Sequence, residues 1–125
     1  MIGGNVNAFR EPRVPVLVTG PTGVNRTINF LVDTGFNGEL TLPPKLIATL
    51  GLGWLQAVDV RFADDRVTQE NVYLADVEWG GTTQSIRVYE MDSQPLLGTI
   101  LLQGCRLEID MIDGGDVVIR PIGAP

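Results

Sequence analysis

Apolar residues along this chain fall into short alternating or continuous runs, separated at nearly regular intervals by glycine and proline. Val14-Pro15-Val16-Leu17-Val18 and Thr27-Ile28-Asn29-Phe30-Leu31-Val32 have the β-branched and aromatic content of strands, and the turn formers Gly20 to Asn25 between them predict a hairpin. That connecting run has a faint likeness to a phosphate loop, but it lacks the Gly-Lys-[Ser/Thr] end that would hold a nucleotide, so the turn reading stands. Pro43 to Gly51 predicts a short helix, with proline where a helix begins, apolar residues at 46, 47 and 50, and glycine where it stops. Val58, Val60 and Phe62 then alternate with Asp59 and Arg61. Ala63-Asp64-Asp65-Arg66 turns the chain back into an extended stretch around Val72-Tyr73-Leu74, which predicts a long hairpin with a polar tip.

Trp79-Gly80-Gly81-Thr82 marks a further turn before Ile86-Arg87-Val88-Tyr89. The apolar run Pro95 to Gly104 reads as a short buried helix ended by Gly104. Arg106 to Asp110 and Asp116 to Arg120 bracket the turn Asp113-Gly114-Gly115 as two closing strands. Together these elements predict an all-β, barrel-like fold with one or two short helices. At 125 residues the chain has the size of one domain, 1–125, with a core spanning about 14–122, and it contains no linker, repeat or low-complexity tract.

Charge and composition narrow the chemistry. The net charge is -6 and Lys45 is the only lysine, which argues against a nucleic-acid partner, because phosphate binding needs clustered cations. No apolar run reaches the length of a bilayer span and the first residues do not read as a signal peptide, so the expectation is a cytoplasmic protein with no membrane partner. Cys105 is the single cysteine, which fits a reducing compartment and a small buried side chain. Histidine is absent, which removes Ser-His-Asp and Cys-His catalysis and leaves no Cys/His set for zinc. Asp110, Asp113 and Asp116 surround two glycines but do not have EF-hand spacing, so no metal site is expected. Trp54, Trp79, Tyr73 and Tyr89 read as packing residues.

Asp33-Thr34-Gly35 follows the apolar run Phe30-Leu31-Val32, so its carboxylate emerges from the end of a buried strand onto a turn. An acid there needs donors, which the Thr34 hydroxyl and the backbone at Gly35 could supply. Alone, such a tripeptide is most simply a turn cap. A second apolar segment with glycine, Leu96-Leu97-Gly98, about sixty residues on and beyond the long hairpin, gives it company.

With those pieces in order, the chain resembles the retropepsin-like aspartic peptidases of the small, single-domain bacterial and archaeal type. The resemblance runs from about Val14 to Ile122: Phe30 to Gly38, then Leu40-Thr41-Leu42-Pro43, the hairpin around Ala63-Asp64-Asp65-Arg66, Leu96 to Leu102, and finally Leu107 to Asp110 with Val117-Val118-Ile119. It implies that Asp33 is catalytic, that Thr34 hydrogen-bonds across a subunit interface, that Gly35 lines the substrate backbone, and that Arg61 to Gln69 forms a mobile flap. Phe36, Asn37, Ala63, Asp64 and Asp65 are then the candidate substrate-binding residues. It further implies a homodimer acting on peptides or proteins with no cofactor, since one chain carries one Asp-Thr-Gly and the chemistry needs two carboxylates sharing a proton.

Two departures stand out. Retroviral relatives place an Asp where this chain has Asn37 and an Arg where it has Thr99, and those two make an ion pair; losing both together is coherent. Phe36 replaces a small residue and should narrow the cleft. The competing readings are a catalytically silent dimer of the same fold that grips extended peptides without cutting them or acts as a regulatory partner, and phosphoryl transfer through an aspartyl intermediate. The second would want another acid two residues on, or a Lys after the Asp, and a distant lysine, which Thr34, Gly35 and Lys45 do not supply.

Overall fold

A computed structural model of the protein describes residues 1–123. Ten strands and two short helices follow in the order β1 (Ile2–Val6), β2 (Pro12–Thr19), β3 (Asn25–Val32), β4 (Leu40–Leu42), α1 (Pro44–Leu50), β5 (Gly53–Arg61), β6 (Val67–Trp79), β7 (Thr82–Glu90), β8 (Leu96–Leu97), α2 (Thr99–Leu102), β9 (Cys105–Ile109) and β10 (Asp116–Pro121). The fold is therefore mostly β with two helices, as the sequence pattern indicates. The strands form one sheet in the order β5-β6-β7-β4-β8-β3-β2-β1-β10-β9, and an additional pairing of β6 with β2 brings the sheet back on itself.

Alternation decides which face is buried. Val14 pairs with Phe30 and Val16 with Ile28, and all four side chains, together with Val18 and Val32, lie in the core. A slip of one residue would turn this whole set to solvent, so the hydrophobic pattern fixes the register. In α1, Pro44 occupies a first-turn position where its missing N–H costs nothing, Gly51 closes the helix by donating to Ala48 O, and Ile47 and Leu50 are buried. β5 and β6 form the long hairpin, with residues 62–66 at its tip, and β6 continues past it to reach β2 at Val77 and Asp76.

Two elements differ from the sequence expectation. The run expected as one helix from Pro95 to Gly104 divides into β8 and the single turn α2. A short apolar run has no period that separates helix from strand. Long-range pairing decides it here, because Leu96 and Leu97 lie parallel to Leu31 and Val32 of β3 while Leu97 also pairs with Leu40 of β4. The strand β1 was not expected at all, since Ile2-Gly3-Gly4-Asn5-Val6 offers only two large apolar residues. Gly4 lies so close to β2 that a Cβ there would overlap the Arg13 carbonyl, a reason for glycine that appears only in the folded chain.

Leu40, Thr41 and Leu42 of β4 are fully buried, and Thr41 Oγ1 accepts the backbone N–H of Leu96 at 2.9 Å. This bond ties β8 to β4 from the side. Thr41→Val keeps the shape but strands a buried donor, so it is expected to cost roughly 1–3 kcal/mol. Urea denaturation checks this, and an unchanged midpoint would show that Leu96 finds another acceptor.

Candidate active site

β3 ends at Val32, and the next residue is still held by the sheet: Asp33 N–H donates to Leu97 O at 2.9 Å. The chain then turns, with Phe36 N–H donating to Asp33 O at 3.2 Å and Gly35 N–H donating to Asp33 Oδ1 at 2.8 Å. The carboxylate is thus aimed by a backbone that has little freedom. Asp33 is half-buried, whereas Thr34 and Gly35 are exposed. Of the two donors expected for the acid, the Gly35 backbone is present, and within the chain the Thr34 hydroxyl has no hydrogen bond among the described residues. A Cβ at position 35 would sit 3.1 Å from Asp33 Oδ1, so glycine keeps that oxygen accessible. Among the described residues no cation lies within ion-pair distance of Asp33.

The segment after β8 locks the rest of the loop. Gly98 N–H donates to Glu39 O at 2.9 Å, Thr99 N–H to Phe36 O at 2.9 Å, and Ile100 N–H to Gly38 O at 3.1 Å. Glu39 is also held from the other side, its Oε2 accepting Arg87 N–H at 2.9 Å. Gly98 has no room for a side chain, because a Cβ would overlap both the Gly38 carbonyl and the Phe36 ring. The position where retroviral relatives carry an ion pair is filled by a neutral bond, Thr99 Oγ1 to Asn37 Oδ1 at 3.1 Å. Both charges are gone, and the geometric link between the two segments remains.

Phe36 is only 6% exposed and meets Tyr89 edge to face, with ring centroids 5.4 Å apart and planes at 86°. With Asn37, Tyr89 and Val58 to Arg61 of β5 it lines a recess of about 210 Å³ beside the Asp33 loop. Ala63, Asp64 and Asp65 stand exposed at the hairpin tip and do not line this recess. Two of them shape the turn: Asp64 Oδ1 accepts Arg66 N–H at 3.1 Å, and Asp65 adopts a left-handed φ of 64°. Tyr89 and Val58 to Val60 were read from sequence as packing or plain strand residues. Only the parallel pairing of β7 with β4, which sets Tyr89 opposite Thr41, brings the ring to the loop.

A family model described as aspartyl protease matches residues 14–108. The chain belongs to the aspartyl protease family. The matched stretch runs from β2 into β9 and contains Asp33-Thr34-Gly35, the hairpin and Gly98, so the strand-end acid and the segment that seats it lie within the family's shared region. A search of curated proteins gives no match. Among the described residues of this aspartyl protease family member no three metal-ligating side chains gather, and no helix is long and apolar enough to cross a membrane.

Because Gly98 touches backbone on one side and a packed ring on the other, Gly98→Ala is expected to lose about 1–3 kcal/mol or more and to displace the Asp33 loop. A thermal melt together with the Phe36 ring NMR shifts checks this; a variant with unchanged melting and shifts would mean that the loop relaxes freely.

Proposed function

We propose that the protein is an aspartic endopeptidase in which two copies of the chain each contribute Asp33 to one site. The observation that carries this reading is a half-buried Asp33 in Asp-Thr-Gly, held at a strand end by Leu97 O and the Gly35 N–H, with no cation in ion-pair distance among the described residues. A plain turn cap would not need the second locked segment around Gly98.

Two carboxylates brought close cannot both ionise, so the pair holds one proton between them. The ionised Asp33 takes a proton from a water lying between the two, and the water oxygen forms a bond to the carbonyl carbon of the scissile peptide. The protonated partner gives its proton to the carbonyl oxygen, yielding a gem-diol. The two acids then exchange roles: the C–N bond breaks as the amide nitrogen receives the proton that the first aspartate took up, while the second aspartate removes a proton from one diol hydroxyl as the new carboxyl C=O forms, which restores the starting protonation state. No metal or organic cofactor enters these steps.

An extended peptide suits such a site because strand-like main chain can pair with the loop and hairpin backbone while alternate side chains enter recesses. The recess between Phe36, Tyr89 and Val58 to Arg61 offers a substrate side chain apolar rings and methyl groups together with the polar Asn37, Asp59 and Arg61. The hairpin from Arg61 to Gln69 acts as the flap, and its exposed Arg61–Asp65 pair at 3.4 Å adds little rigidity. The single half-buried Cys105 is consistent with work in a reducing, cytoplasmic setting. A dimer that only binds extended peptides is the competing reading, and the retained acid weighs against it.

Asp33→Asn is expected to lower peptide cleavage by at least roughly 10²–10⁴-fold with the fold unchanged. Turnover of a mixed peptide library, read beside the circular dichroism of both proteins, makes the test; full turnover by the variant would remove Asp33 from this role. Cleavage by the wild type should rise below neutral pH, since the site needs one retained proton. An activity confined to alkaline pH would contradict that.

A further inference from the structure

Between the end of β2 and the start of β5, one edge of β6 changes partners. Leu74 pairs with Gly53 of β5, Asp76 pairs with Thr19 of β2, and Ala75 between them has no register partner on that side. The changeover leaves a recess of about 280 Å³ lined by Pro21, Trp54, Leu74, Ala75, Asp76 and Ser85, among others. Its volume is at the small end of ligand-sized cavities and suits one side chain or a molecule of that size. It lies at the opposite end of β5 from the Val58 to Arg61 stretch beside the Asp33 loop, on the order of 20 Å along the strand. Trp54 is 61% exposed, whereas Trp79, the other tryptophan, is buried in the core. Trp54 Nε1–H donates to Asn71 Oδ1 at 3.1 Å, a bond made through the edge of the indole, so the ring is oriented without using its faces. Asp76 is exposed and has no ion pair among the described residues. Arg87, diagonally across on β7, does not reach it, Glu78 adds a second acid further along the same strand, and no Lys or Arg lines the recess.

We propose that this recess receives a guanidinium group carried on an alkyl stem, as in an arginine side chain. A guanidinium is planar, stacks on an indole face and offers paired N–H donors to a carboxylate, so Trp54 and Asp76 together match it. Its stem packs on Leu74 and Pro21, and the Ser85 hydroxyl is a further acceptor. An anion would be repelled by Asp76 and Glu78, and a purely apolar occupant would strip water from Asp76 without replacing it. The net charge of -6 favours the approach of a cation over the whole surface. Because the recess is remote from Asp33, a polypeptide anchored there through one arginine leaves the cleft beside the Asp33 loop free.

An NMR titration of the isotope-labelled whole chain tests this, with N-acetylarginine methylamide as the probe and its neutral isostere N-acetylcitrulline methylamide beside it. The arginine probe should shift the Trp54 indole N–H and the Ala75 and Ser85 amides saturably, and the citrulline probe should bind roughly tenfold or more weakly. Asp76→Asn should weaken the arginine probe by a similar factor, and Trp54→Leu, read at the two amides, by roughly threefold or more. The resonance of the buried Trp79 indole reports in each variant that the fold is intact. Equal affinity for the charged and neutral probes, undiminished binding by a folded Asp76→Asn, or shifts confined to the Asp33 loop would each overturn the assignment. Butylguanidinium, run in parallel, separates the two sources of the group. Tighter binding of the arginine probe assigns the recess to a side chain on a polypeptide, and equal or tighter binding of butylguanidinium assigns it to a free small guanidine. The site does not depend on peptide cleavage: Asp33→Asn should bind the arginine probe as the wild type does. A wild type that binds the probe yet cleaves nothing sinks the protease reading and leaves the recess standing.

Discussion

Everything distinctive about this fold depends on a two-residue strand that lies between two others. Leu96 and Leu97 fill the gap between β3 and β4, and Leu97 accepts the backbone N–H of Asp33, pairs with Leu40 and is fully buried. Without that insertion β3 and β4 would be separate strands with unpaired edges in the protein interior, which is costly. With it, the loop from 33 to 39 has nowhere to go but outward and around, and the acid at its start is presented at the surface of a packed core.

The consequences spread in both directions from that point. On one side, Gly98, Thr99 and Ile100 continue directly from β8 and donate three backbone hydrogen bonds to the loop, so the same segment both creates the loop and holds its shape. On the other, β4 carries Thr41 opposite Tyr89, and Tyr89 supports Phe36 from below. The edge-to-face contact packs one side of the recess, and the neutral Asn37–Thr99 bond links the loop to the start of α2 without a charge pair. The acid is therefore fixed chiefly by backbone, and side chains nearby are left to shape what may enter.

Much of this was readable before any coordinates. The β2–β3 hairpin, α1 and the long β5–β6 hairpin follow from local period and turn residues, and Asp33-Thr34-Gly35 was visible as a strand-end acid. What was not readable depends on distant partners. Nothing local says that Leu96 and Leu97 are strand and not helix, because their conformation is set by Leu31, Val32 and Leu40. Likewise nothing local marks Gly3 and Gly4 as strand until β2 and β10 lie beside them, and Tyr89 looks like ordinary packing until β7 is set against β4. Asp64 and Asp65 stand at the exposed hairpin tip, and their contacts within the chain are those of a turn.

The central claim is that one site is built from two chains. Calorimetric titration with a peptide in which the scissile amide is replaced by a secondary alcohol measures this directly, because the alcohol takes the place of the attacking water between the acids. The account predicts one inhibitor bound for every two chains; saturation at one inhibitor per chain would contradict it.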